Sequence, residues 1–225
     1  CNIEKSKEIL MSALHNDAST TVGRYGNRTY NYFSSQYNTY SGGYVPRGQY
    51  IGDMEFQRCR PTEYTYAVFD NVNDSRMWKT FKTVYGICNN VATPDYVKAE
   101  NAPTFGDQGV LFLLNKKDDT RFRKDEFGRA AIKHTFVNPE TGKWVPNVAP
   151  VYAEGQYVMN TYGTSAANRS NMFCGINKTA DGSRTGEKGD AHRDVTMARV
   201  GETYLVKAEC QVRNGDDAGA LATIN

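Results

Sequence analysis

From residue 195, apolar side chains at Val200, Tyr204, Leu205 and Ala208 recur at helical spacing until Asn214-Gly215, and no other stretch carries so plain a period. Gly215 suits the left-handed position that ends a helix, because it has no β-carbon to clash there. Asp216 then caps a second helix, Asp217 favours its positive N-terminus, and Ala218, Leu221, Ala222 and Ile224 are expected on its buried face. The chain is therefore expected to close on an antiparallel helix pair over residues 195–225. That second helix is still running at Asn225, which makes the chain read as a fragment.

Nothing upstream repeats this pattern. Residues 3–14 place Ile3, Ile9, Leu10, Ala13 and Leu14 on spacings that fit a helix or a short extended run. Residues 23–53 carry Tyr25, Tyr30, Tyr32, Tyr37, Tyr40, Tyr44 and Tyr50 without a sustained period, around a Ser41-Gly42-Gly43 turn signal, and predict a long ordered loop or several short strands. Pro61-Thr62-Glu63 starts a helix with Thr62 as its cap, and residues 70–76 form a polar turn. Short runs broken by Gly86, Pro94, Pro103 and Gly109 fill 77–114. Residues 130–160 look extended, with turns at Asn138-Pro139 and Thr141-Gly142, and 160–192 read as loop.

Composition narrows the function classes. With 27 basic and 25 acidic residues among 225, the net charge of +2 supplies no field for nucleic acid or an anionic membrane surface. An apolar content of 39% supports a folded core, while 15 tyrosines and few charges suit an extracellular or periplasmic surface. The longest apolar run, Val110 to Leu114, is far short of the ~20 residues that span a bilayer. The five cysteines, Cys1, Cys59, Cys88, Cys174 and Cys210, form no CxxC pair; they read as isolated small apolar residues, with one long-range disulfide as the alternative. Cys1 lacks the polar linker that follows a lipidated cysteine and is taken as the point where the chain happens to start.

The helix pair, with Tyr204, Ala208, Gly215, Ala220 and Leu221 at its offsets, resembles a tetratricopeptide-like unit, in which small residues let two helices approach closely. One unit cannot bury its own face, so partner helices are expected upstream of residue 1. More specifically, the segment Arg199-Val200-Gly201-Glu202-Thr203-Tyr204-Leu205-Val206-Lys207-Ala208-Glu209-Cys210 is similar to the R-x-A-E-x-Y-L-x-x-A-E-A helix of the SusD/RagB family. Gly201 and Cys210 replace alanines of that pattern, and Gly201 weakens the helix by about 1 kcal/mol. Arg60-Pro61-Thr62 with Tyr64 and Tyr66, then Asn73-Asp74-Ser75-Arg76 in place of N-D-P-R, Met77-Trp78-Lys79-Thr80-Phe81 and Ala131-Ile132-Lys133 follow in the family's order.

The resemblance implies a mainly α fold: a tetratricopeptide-like α-α superhelix scaffold with long irregular loops and minor β, of which residues 1–225 form the C-terminal part of a single domain. It implies a lipid-anchored protein at the cell surface of the outer membrane, its anchor outside this chain. Such a protein acts as a hinged lid on a SusC-like TonB-dependent transporter and binds glycan without cleaving it. In the RagB branch the cargo is peptide. A helical protein–protein scaffold is the alternative from a different class.

Carbohydrate recognition needs flat rings for sugar C–H faces and planar polar groups for hydroxyls. Tyr37, Tyr40, Tyr44, Arg47 and Tyr50 are the expected ligand contacts, with Trp144 as a second aromatic platform. The competing expectation is that these rings pin a long loop to the scaffold. Trp78 is expected in the core, and Asp74, Arg76, Arg199, Glu202 and Glu209 in structural ion pairs and caps. No catalytic residue, cofactor or metal is expected. His15, His134 and His192 fit no HExxH spacing, no nucleophile elbow or phosphate loop occurs, and the oxygen-rich Asp70, Asn71, Asn73 and Asp74 lack an EF-hand's spacing.

Overall fold

The computed structural model describes residues 6–15, 28–48, 54–70, 73–124, 136–159, 172–182, 191 and 193–225. Tyr50, Asn71, His134, His192, Cys1 and the family-like stretch Ala131-Ile132-Lys133 lie outside them. In chain order the elements are strand β1 (Ile9–Ala13), helices α1 (Thr29–Tyr32), α2 (Tyr37–Tyr40), α3 (Glu63–Ala67) and α4 (Ser75–Thr80), and strands β2 (Phe81–Lys82), β3 (Val84–Gly86) and β4 (Gln108–Leu113). Strands β5 (Asn147–Pro150), β6 (Tyr152–Ala153), β7 (Gln156–Tyr157), β8 (Gly175–Ile176) and β9 (Val195–Arg199) follow, and helices α5 (Val200–Arg213) and α6 (Asp217–Ile224) come last. These elements fall into two compact units, one holding the described residues between 28 and 180, the other residues 6–15, 181–182, 191 and 193–225.

The larger unit is built on β4. It pairs antiparallel with β3 and parallel with β5, and its alternation turns Val110 and Phe112 into the core. Gly109 sits where a β-carbon would stand 2.8 Å from Val45 Cγ2 and 3.1 Å from Ile87 Cγ1, so only glycine admits the close approach of the 45 and 87 segments. Strands β6 and β7 form a hairpin whose two-residue turn has positive φ at Glu154 (50°) and Gly155 (70°), the pattern that matches the strand twist. Asn115 clamps this hairpin as a backbone would, accepting from the Tyr152 N–H at 2.9 Å and donating to its carbonyl at 2.8 Å.

Aromatic rings fill the core. Tyr37 stacks on Tyr85 at 4.6 Å, Tyr85 meets Phe112 edge-on, and Tyr66 stacks on Phe81 at 5.2 Å with Phe69 edge-on to the same ring. Over its described residues, 28–48, the tyrosine-rich segment forms neither a plain loop nor strands. It folds as α1, α2 and a turn, with positive φ at Gly42 and Gly43. The turn predicted around Asn138 is present: its side chain accepts from the Glu140 N–H at 2.8 Å, and Gly142 takes φ of 67°.

In the smaller unit β1 and β9 pair antiparallel, which settles residues 9–13 as extended and starts the C-terminal helix at Val200, not at residue 195. Gly215, at φ 78°, closes a Schellman motif: the Asp216 N–H reaches the Gln211 carbonyl at 2.9 Å and the Gly215 N–H reaches Val212 at 2.9 Å. Asp216 then caps α6 by accepting from the Gly219 N–H at 2.9 Å. Ala208 and Ala220 are the buried residues of the two helices. Leu221 and Ile224, expected inward, are each 62% exposed.

A mainly α superhelix is not what this chain forms. Of the described residues, 27% are helical and 21% strand, in six helices and several small sheets. The four helices of the larger unit run four to six residues, too short to present a stripe for helix-on-helix packing, and strands carry its core instead. Among the described residues only α5 and α6 pack as a pair, and a superhelix needs several such pairs.

Two consequences are measurable. Gly109→Ala overpacks the core beside Val45 and Ile87 and costs about 1–3 kcal/mol in urea unfolding; an unchanged midpoint contradicts that packing. Lys82 lies with its ammonium 4.6 Å from the centre of the Tyr85 ring, and burial pushes its pKa down from 10.5 to about 8. Between those values the unfolded chain holds more protons than the folded one, so this residue's contribution to stability rises with pH through that window. Lys82→Met should therefore lose about 1 kcal/mol relative to wild type on going from pH 8 to pH 9, a comparison in which the raised pKa of Cys174 cancels. A stability difference that stays constant across pH 7–10 would refute it.

Candidate functional site

An open concavity of the larger unit has a volume of about 490 Å³. One wall is the end of α3 and the turn after it, where Val68, Phe69 and Asp70 stand; Met77 of α4 and the stretch Leu114 to Lys117 face it, and Val151 and Tyr152 close it. Local sequence explains the first wall. Thr62 caps α3 by accepting from the Thr65 N–H, while the Thr65 hydroxyl accepts from the Thr62 N–H, a reciprocal pair that fixes where the helix starts. Helical spacing then turns Tyr66 inward and leaves Val68 at the surface, 53% exposed. Asp74 likewise caps α4 through the Arg76 N–H at 2.9 Å, and the paired Arg76 guanidinium holds its carboxyl below the usual carboxylate range.

The rim carries both signs of charge. Lys117 pairs with Glu63 at 2.7 Å and lies 5.5 Å from the centre of the Tyr152 ring, and the carboxylate raises the lysine pKa. Asp70 accepts from the Asn73 backbone at 3.2 Å and from its side-chain amide at 2.8 Å. Lys116 is exposed, and its ammonium has no hydrogen-bond or ion-pair partner among the described residues. The floor is apolar. Below it the buried Tyr66 hydroxyl, its pKa pushed well up by burial, accepts from the Cys174 N–H at 3.2 Å. Among the described residues no three His, Cys, Asp or Glu side chains converge as a metal site. Among the described cysteines, Cys59, Cys88, Cys174 and Cys210 are free thiols, and of these Cys174 is buried while Cys59 and Cys210 are exposed.

The expected ligand contacts fall elsewhere. Tyr37 is fully buried on Tyr85, and its hydroxyl both donates to the Gly48 carbonyl and accepts from the Gly48 N–H at 3.2 Å; burial pushes its pKa up to about 12. Tyr44 is buried, edge-on to Trp144 at 6.2 Å, with its hydroxyl donating to Ala92 at 3.2 Å. Trp144 itself is 4% exposed. Tyr40 is half-buried and donates to the Val148 carbonyl at 2.8 Å; Arg47 is exposed and pairs with Glu55 at 2.8 Å. Tyr50 lies outside the described residues. The structure thus brings Tyr44 and Trp144 together, but inside the core, and the rings tie their segment to the scaffold.

Trp78 is the converse. Expected in the core, it is 55% exposed, because α4 turns Met77 and Thr80 inward and has too few residues to bury a third side chain. Of the expected ion pairs, Asp74–Arg76 at 2.7 Å and Glu209–Arg213 at 2.5 Å form on the surface, not in the interior. The groove was missed from sequence since no spacing links residues 66–70 to 114–117 or 151–152; the adjacent Lys116 and Lys117 after a buried strand were the only local hint.

Searches against curated proteins and against solved structures each found no significant match. The family model described as the SusD family matches residues 7–225, nearly the whole chain and both of its units. The chain belongs to the SusD family.

Proposed function

We propose that this chain captures glycan at the cell surface, without cleaving it, for delivery to a SusC-like TonB-dependent transporter in the outer membrane. Attachment to that membrane runs through a lipid anchor outside this chain. The observation that carries the reading is the family match over residues 7–225, since the family is generally one of non-catalytic nutrient-binding proteins. The open groove adds to it: apolar walls with polar groups at the rim are what an amphipathic sugar ring needs. No helix among the described residues is long and apolar enough to cross a membrane.

Tyr37, Tyr44 and Trp144 then serve the site indirectly, as the rings that hold the scaffold rigid, while Tyr40 and Arg47 keep some exposed surface. Affinity electrophoresis against a polysaccharide panel, run beside a reducing-sugar assay, tests the proposal. Retardation by at least one glycan with no release of reducing ends is expected. Released sugar would overturn the non-catalytic reading, and retention of peptide with no glycan would favour peptide capture.

A further inference from the structure

We propose that the sugar-binding surface continues from the groove over the outer face of α3, where Tyr64 offers a flat ring to the next sugar of a chain; this rests on the glycan reading above and narrows it to oligomers long enough to lie across both. Tyr64 is 76% exposed. Among the described tyrosines of the larger unit it alone has neither a ring partner nor a hydroxyl partner. Even the other exposed tyrosines are committed to the scaffold, Tyr32 against Phe56 at 5.9 Å and Tyr96 against Trp144 at 6.0 Å.

Local sequence places the ring. The reciprocal Thr62–Thr65 cap fixes the start of α3, and Tyr66, its buried residue, sets which side meets the core. Tyr64, two residues earlier, stands on the opposite side. Its neighbours there, three and four residues on, are Ala67 and Val68, both exposed, and the Val68 N–H closes the turn on the Tyr64 carbonyl at 3.1 Å. Ala67 and Val68 also line the groove. The three side chains thus make one uncharged strip that leads from Tyr64 into the groove, while Glu63 beside them is held by Lys117 at 2.7 Å.

Size selects the occupant. A strip of three side chains falls far below the roughly 20–30 residues that each side of a stable protein interface contributes. A sugar ring needs less, since its C–H face covers one aromatic ring, and a tyrosine supplies that area with few torsions to fix.

The full chain is screened by affinity electrophoresis against amylose, xylan, mannan and polygalacturonate, and the disaccharide and longer oligomers of the retained polymer are then titrated calorimetrically. Wild type is expected to bind the longer oligomers more tightly than the disaccharide. Tyr64→Ala should lose about five- to tenfold on the longer oligomers, the scale of one aromatic contact, and nothing on the disaccharide, which the groove holds by itself. Tyr64→Phe keeps the ring and should match wild type, Val68→Asp should weaken binding at every length, and all three variants should keep the wild-type melting temperature. Full-strength binding of the longer oligomers by Tyr64→Ala, an equal loss on the disaccharide, or a loss in Tyr64→Phe as large as in Tyr64→Ala would overturn the proposal while leaving glycan capture standing. Unimpaired binding by Val68→Asp would remove the groove as the inner end of the surface and overturn it as well. Retention of no glycan at all would overturn this proposal together with the reading it rests on.

Discussion

Burying a tyrosine ring costs least when its hydroxyl keeps a hydrogen-bond partner in the interior, and four rings of the larger unit meet that condition, whereas the buried Tyr85 hydroxyl finds no partner among the described residues. Tyr37 answers it with both backbone groups of Gly48, Tyr40 with the Val148 carbonyl, Tyr44 with Ala92, and Tyr66 with the Cys174 N–H. Each ring also packs against the strands or against another ring, so one side chain fixes two distant parts of the chain at once. Segments with little secondary structure of their own, such as residues 28–48, acquire a fixed path in this way. Asparagines extend the same device: Asn147 donates to Ser41 and Gly109, and Asn115 holds Tyr152 at both of its backbone groups.

That arrangement leaves the groove as a by-product of packing. Tyr66 and Met77 point into the core and form its floor, while Val68 and Asp70 stand outward because α3 is so short. The Lys117–Glu63 pair beside it is exposed, so it adds little stability; its consequence is electrostatic, since it removes one charge from the rim.

Periodicity made the C-terminal helices legible, and Gly215 and Asp216 marked the turn between them residue by residue. The Thr62 cap and the Asn138 turn were legible for the same reason, because each is closed by groups within four residues. Residues 9–13 were ambiguous between helix and strand, since an isolated apolar run is the same for both; pairing with residues 195–199 decided it. The family match too was visible in the α5 segment and in residues 60–81. The two tryptophans were not. Trp78 and Trp144 exchange the places expected of them, one outside and one inside, because exposure depends on what other segments cover.

The sequence by itself determined what is decided locally: the caps, the glycine turns, the helix pair and the family to which the motifs point. The proportion of helix to strand, the burial of Tyr37, Tyr44 and Trp144, and the groove were decided by the tertiary structure alone. Strands of two to six residues carry almost no period and take their form from partners, as β4 does from residues 84–86 and 147–150. Nor can a ring's residue type say whether it is buried, since tyrosine has an apolar body that suits the interior and a polar tip that suits water, and what covers it is set by other segments.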